Sequence, residues 1–204
     1  QAARGLVYQL VQALGCLINR VAAPQLAALT ADDKRHLQAR GVRLGAHAVY
    51  LPAMFKLARR NLLAHLLKIH NPDVDIVVPD GGTASVAASS GEAAQLLTAL
   101  GFITVGPRAI RIDLAERSRR ELYRAARQRS PVRLHEFMAL IGCPRDAFDD
   151  VLAAQGFRAA VNEAGTLIEP LQKDRRRRRG RPRKKLPESP FAVLGRLQVG
   201  PTRS

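Results

Sequence analysis

The residues best placed to do chemistry in this chain are cations. Lys173 to Lys185, "KDRRRRRGRPRKK", holds ten Lys and Arg against the single Asp174. A guanidinium grips a phosphate through parallel N–H donors. Arg175, Arg176, Arg177, Arg178, Arg179, Arg181 and Arg183, with Lys184 and Lys185, are therefore candidate phosphate ligands. A second set, Arg117, Arg120, Arg124 and Arg127, lies in "LAERSRRELYRAARQ". Its last three members fall on one helical face at i, i+4 and i+7. Such residues recognise a polyanion by charge; they do not make or break bonds.

Groups that would do bond chemistry are scattered. His65 and His70 in "HLLKIH" are five apart, where a zinc-protease helix needs an i, i+4 pair with an intervening Glu. His36, His47 and His135 have no Cys or carboxylate cluster at ligand spacing, and no Gly-x-Ser-x-Gly elbow occurs. "GGTASVAASSG" lacks the Gly-Lys-Ser/Thr ending that gives a phosphate loop its cation and Mg²⁺ ligand. Cys16 and Cys143 sit in apolar contexts and are expected to be buried, reduced thiols, which fits a reducing cytoplasm. No catalysis, metal or cofactor is expected within this chain.

Two details of the basic run go beyond charge. Gly180 and Pro182 interrupt it, and "RGRPRK" resembles the core of the AT-hook, a minor-groove motif of DNA-binding proteins. Pro182 would hold the backbone extended and Gly180 would allow close approach. Arg179 and Arg181 would then enter a narrow, A·T-rich groove. The other reading is an unstructured electrostatic tail that binds any polyanion, RNA as well as DNA.

The 204 residues carry a formal charge of +16 and no Trp, so any core must be mainly Leu, Ala, Val and Ile. The charge favours an anionic partner, nucleic acid before membrane. No apolar run is long enough for a membrane span, no secretory signal pattern opens the chain, and a cytoplasmic location is expected. The first residue is Gln, so the chain is expected to begin inside a longer protein.

The elements that must position these cations read as follows. Leu6, Val7, Leu10, Val11, Leu14, Leu17, Ile18 and Val21 form one stripe, which predicts a five-turn helix ended by Pro24. Thr30 with Asp33 predicts a capped helix that stops at Gly41. "VRLGAHAVYLP" predicts two short β segments around Gly45, and a further helix is expected from Pro52, with Phe55, Leu62 and Leu66 on one face. Residues 71–90 read as a linker or loop. Beyond it, "AAQLLTALGFITVGPRAIRI" and "FDDVLAAQGFRAAVNEAGTLI" share a plan of helix, Gly-Phe, strand, turn and strand. Gly101 and Gly156 are the expected left-handed helix stops. Helices are expected from Asp113, from Ser130–Pro131 and after the turn at Gly142 and Pro144, then a hairpin at 157–169. That is the order of a winged helix.

The expected class is thus mainly α with small β-hairpins (α+β). It divides into a helical region 1–70, a linker 71–90, a helix-hairpin and winged-helix-like region 91–170 and a disordered basic tail 171–204. The third helix of the winged unit carries Asp146, Asp149 and Asp150 against Arg145 alone. Carboxylates beside phosphates repel, so this helix is expected to be structural or protein-facing rather than a groove reader.

Five phrases add a resemblance: "LVYQLVQALGCLINR", "LQARGVRLGAHAVYLPAMFK", "GFITVGPRAIRIDLAER", "LIGCPRDAFDDVLAAQGFR" and "SPFAVLGRL". In this order they resemble the region after the motor in bacterial homologues of the mitochondrial degradosome RNA helicase, a superfamily-two group. The resemblance implies two RecA-like motor domains upstream in the same polypeptide, which would bind ATP and Mg²⁺ and move along RNA or DNA. This chain would be their nucleic-acid-binding accessory part and would carry none of their catalytic residues. The family pattern has Pro after the Lys of "LPAMFK"; Leu57 stands there here, so the following segment is expected to run on as helix. The alternative is a stand-alone DNA-binding regulator with a winged helix and an AT-hook-like tail. Neither reading sets an oligomeric state.

Overall fold

Helix α1 (Ala2–Gln12) buries Leu6 and Leu10 and ends well before the apolar stripe does. The five-turn expectation is corrected. Leu14 (φ 53) and Gly15 (φ 90) take left-handed backbone and turn the chain, and Cys16–Ile18 becomes strand β1. Its partner is distant in sequence: β3 (Ala48–Tyr50) runs antiparallel to it, with Leu17 opposite Val49. Helix resumes as α2 (Asn19–Ala28), and Pro24 lies inside it instead of ending it. In α3 (Ala31–Ala39) the expected capping box forms: Asp33 N–H donates to the Thr30 hydroxyl at 3.1 Å and Thr30 N–H to the Asp33 carboxylate at 3.1 Å. Strand β2 (Arg43–Leu44) then completes an antiparallel sheet of order β1-β3-β2. The half expected to be helical therefore contains a three-stranded sheet.

The helix expected from Pro52 is interrupted. Pro52–Phe55 forms a 3₁₀ turn, Lys56 is extended (ψ 142), and α4 (Leu57–His70) starts at Leu57. Its buried face is Arg60, Ala64 and Leu67, whereas the expected face residues Leu62 and Leu66 are exposed. The stretch read as a linker also contributes to the fold. Ser85–Ala87 is strand β4, paired antiparallel with β6 (Arg108–Arg111), which also pairs β5 (Phe102–Val105). The Ser85 hydroxyl donates to the Gly142 carbonyl at 2.8 Å and accepts from Arg108 Nη2 at 2.9 Å.

The two helix–Gly-Phe–hairpin units form as the sequence implies. Helix α5 (Gly91–Ala99) leads to Gly101 at φ 84 and buried Phe102. Helix α8 (Arg145–Ala154) leads to Gly156 at φ 86, buried Phe157 and the hairpin β7 (Phe157–Asn162) with β8 (Gly165–Pro170). Between the units run α6 (Ile112–Gln128) and α7 (Leu134–Ile141). The latter starts later than Pro131 suggests, because Val132 N–H donates to the Thr166 carbonyl at 2.8 Å and holds its segment against the hairpin. The result is a mixed α and β fold with small antiparallel sheets.

This computed structural model describes residues 1–74, 78–162 and 165–171, and residues 1–171 pack as one unit. One core joins Cys16 and Ala48 to Ile103, Ile110, Leu122, Phe148 and Ile168. A second lies around Leu6, Leu10 and Val49, and a third joins Ala64 and Leu67 of α4 to Leu97, Leu100 and Phe102. A polar contact fixes α6 to the first sheet. The buried Glu116 carboxylate accepts N–H bonds from Ala46 (2.7 Å), His47 (2.7 Å) and Ala48 (3.4 Å). A Cβ on Gly45 would run into that carboxylate.

Candidate nucleic-acid interface

Helix α6 is long and strongly two-sided. Ile112, Ala115, Leu122 and Ala125 are buried with Glu116 and Ser118, which sets the rotation of the helix about its axis. That rotation turns Arg117, Arg120, Arg124 and Arg127 out to solvent. The four are not equivalent. Arg117 is held by Glu121 (Nε to Oε1, 2.8 Å), so its charge is locally offset. Arg120, Arg124 and Arg127 have no carboxylate at ion-pair distance among the described residues. A further arginine of this helix, Arg119, turns inward; it donates to the Gln155 carbonyl and lies over the Phe157 ring at 5.9 Å.

Sequence reasoning passed over Tyr123. It is 62 % exposed and lies one helical step from Arg120 and Arg127. An exposed ring among unpaired guanidiniums offers a stacking surface beside phosphate contacts, the combination that single-strand binders use. The signal was its place in "RRELYRAAR", three residues from Arg120 and four from Arg127. Arg43 was also missed. It pairs with Tyr50 across β2 and β3, and Arg43 and Arg120 both lie close enough to act on the Tyr50 hydroxyl. Burial, then Glu116 and Asp113, raise that hydroxyl's pKa, and the two arginines oppose them.

Helix α8 presents the opposite sign. Asp146, Asp149 and Asp150 are exposed, with Arg145 held to Asp149 at 3.3 Å. Its inner face, Phe148, Val151 and Leu152, is core. The remaining candidates, Arg175 to Arg179, Arg181, Arg183, Lys184 and Lys185, lie outside the described residues, as does the AT-hook-like segment. Cys16 and Cys143 are free and buried. Burial, with a smaller contribution from Glu116, pushes the Cys16 thiol up to about 12. His36, His65, His70 and His135 are exposed and apart from one another, and no cluster of three metal-ligating side chains occurs among the described residues. No described helix is long and apolar enough to cross a membrane. Comparison with family models, with curated proteins and with solved structures gives no match to this chain.

Proposed function

We propose that this chain is a nucleic-acid-binding module that tracks the phosphate backbone along α6, as an accessory part of an ATP-driven helicase whose motor domains lie elsewhere in the same polypeptide. The observation that carries the binding part is the stripe Arg120, Arg124 and Arg127, exposed and without carboxylate partners among the described residues, with Tyr123 beside it. Guanidiniums left free on a fixed helix can follow successive phosphates, and the tyrosine adds a base-stacking face. The helicase part rests on the five phrases quoted above. The helices α6, α7 and α8 followed by the β7–β8 hairpin are read as a winged-helix-like support. The acidic outer face of α8 favours backbone tracking by α6 over base reading by α8.

The test is a salt series. Three Arg that each engage a single-strand phosphate contribute up to about 2 to the log–log salt slope. Arg120→Ala, Arg124→Ala and Arg127→Ala combined should lower the slope by about that amount for single-stranded RNA or DNA, with a matching loss of affinity at low salt. Tyr123→Ala should weaken binding with the slope unchanged, by about 1–3 kcal/mol if one base stacks there. An unchanged slope in the triple variant overturns the reading.

A further inference from the structure

Beside the 3₁₀ turn, at the N-terminal end of α6, lies a cavity of about 340 Å³. Tyr50, Phe55, Lys56, Arg60, Arg111 and Asp113 line it. Arg60 is the unusual member. It is 3 % exposed, and its buried Nε and Nη2 have no acceptor among the described residues. A guanidinium stays charged, so leaving it buried without a counter-anion is strongly unfavourable. The Phe102 ring, 5.9 Å away, is its evident compensation, and a cation over a ring recovers only part of that cost.

The other charges do not supply the missing anion. Arg111 takes both oxygens of Asp113, at 2.7 and 3.0 Å, so the one carboxylate in the lining is already occupied. Lys56 stands exposed at the rim. The lining therefore holds three cations against one carboxylate. Burial first, and Arg111 second, lower the Arg60 pKa, with Asp113 opposing. Two helix N-termini also open here: Leu57 begins α4, and Ile112 begins α6. The first turn of α4, whose Leu57 lines the cavity, has no acidic residue and no side-chain cap, so its positive end is unneutralised.

We propose that this cavity is a phosphomonoester site, in which Arg60 is the buried cation and Lys56, Arg111 and the α4 N-terminus supply the remaining contacts. A phosphate monoester carries about −1.5 to −2 at neutral pH, which matches the excess of two positive side chains. The volume is at the small end of ligand pockets, so a phosphate with an attached sugar fits and a duplex does not. Arg120, Arg124 and Arg127, which carry the proposed binding along α6, are not part of the site's lining. Its ligand is a free phosphomonoester, such as a mononucleotide, or the 5′-terminal phosphate of a strand.

The full chain tests this by thermal shift against inorganic phosphate and uridine 5′-monophosphate, with chloride matched for ionic strength. Both anions should raise Tm above the chloride control. Arg60→Met keeps the buried length, removes the charge and should abolish the rise. The triple Arg120, Arg124 and Arg127 variant should retain it, so failure of the site and failure of the α6 reading are told apart. Lys56→Met, at an exposed position, should at least halve the response and decides the matter if Arg60→Met does not fold. A 5′-phosphorylated oligouridylate that binds at least about fivefold more tightly than its 5′-hydroxyl twin identifies the strand end as the ligand, whereas equal binding identifies the free phosphomonoester. No rise with either anion, a rise that survives in Arg60→Met, or a full response in Lys56→Met overturns the site.

Discussion

The Glu116 carboxylate accepts the backbone N–H of His47, 69 positions earlier in the chain, at 2.7 Å. With Ala46 and Ala48 donating to the same group, one side chain of α6 satisfies the turn between β2 and β3. Glu116→Gln sets an amide NH₂ against at least one of these donors. The expected loss is about 2–3 kcal/mol, the scale of buried hydrogen bonds to a charged group. Urea unfolding measures it, and a change below about 0.5 kcal/mol would show that the contact is dispensable.

The same turn makes stability depend on pH. Burial holds the His47 imidazole below its ordinary value of 6.5; Glu116 opposes that shift and Arg119 adds to it. Its Nε2 is buried with no partner among the described residues. A depressed folded value means that the unfolded chain binds the proton more readily. The contribution is complete above about pH 6.5 and is lost as pH falls through the folded value. The urea midpoint should therefore drop between about pH 7 and pH 5, and His47→Asn should flatten that drop. An identical slope in both proteins would locate the acid sensitivity elsewhere.

The cores and the reversals separate what the sequence could convey from what it could not. The Thr30 cap and the stops at Gly101 and Gly156 were legible because they are local: a side chain or a φ angle acts within a few residues. The break after Gln12 was not legible. Leu17 and Ile18 continue the apolar period, and only pairing with Val49 and Ala48 makes them strand. The burial of Arg60 was not legible for a related reason. A charged residue is assigned to the wet face, yet this one is buried over Phe102, a residue of a later strand. At the candidate interface, the face formed by Arg120, Arg124 and Arg127 follows from spacing alone. The diversion of Arg119 to Gln155 and Phe157 depends on tertiary contacts.

The two Gly-Phe units permit a paired measurement. Gly101 and Gly156 have nearly the same φ, 84 and 86, so Ala pays a similar left-handed cost at each, about 1–2 kcal/mol. Their surroundings differ. A Cβ at Gly156 meets nothing within 4 Å, whereas at Gly101 it would lie 2.6 Å from Phe55 Cδ1. Gly101→Ala should cost at least about 1 kcal/mol more than Gly156→Ala, because the Phe55 ring must move. Equal losses in denaturant titrations would contradict that packing.

Thiol chemistry offers a further check. A Cys16 pKa near 12 leaves only about one part in ten thousand as thiolate at pH 8, and burial raises the Cys143 pKa as well. Folded protein should react with a disulfide reagent at least about a hundredfold more slowly than urea-unfolded protein, for both cysteines. A fast folded-state phase of one thiol per chain would mean that one of these sites opens readily.

The contacts that cross the exposed Gly81–Gly82 turn bear on covalent continuity. Glu116 grips residues 46–48, Arg60 lies over Phe102, and Ala64 and Leu67 share a core with Leu97 and Leu100. None of these depends on an intact peptide bond at residue 81. Residues 1–81 and 82–204 should therefore behave as complementing fragments, remaining associated after a single backbone nick and parting only when the shared interior unfolds.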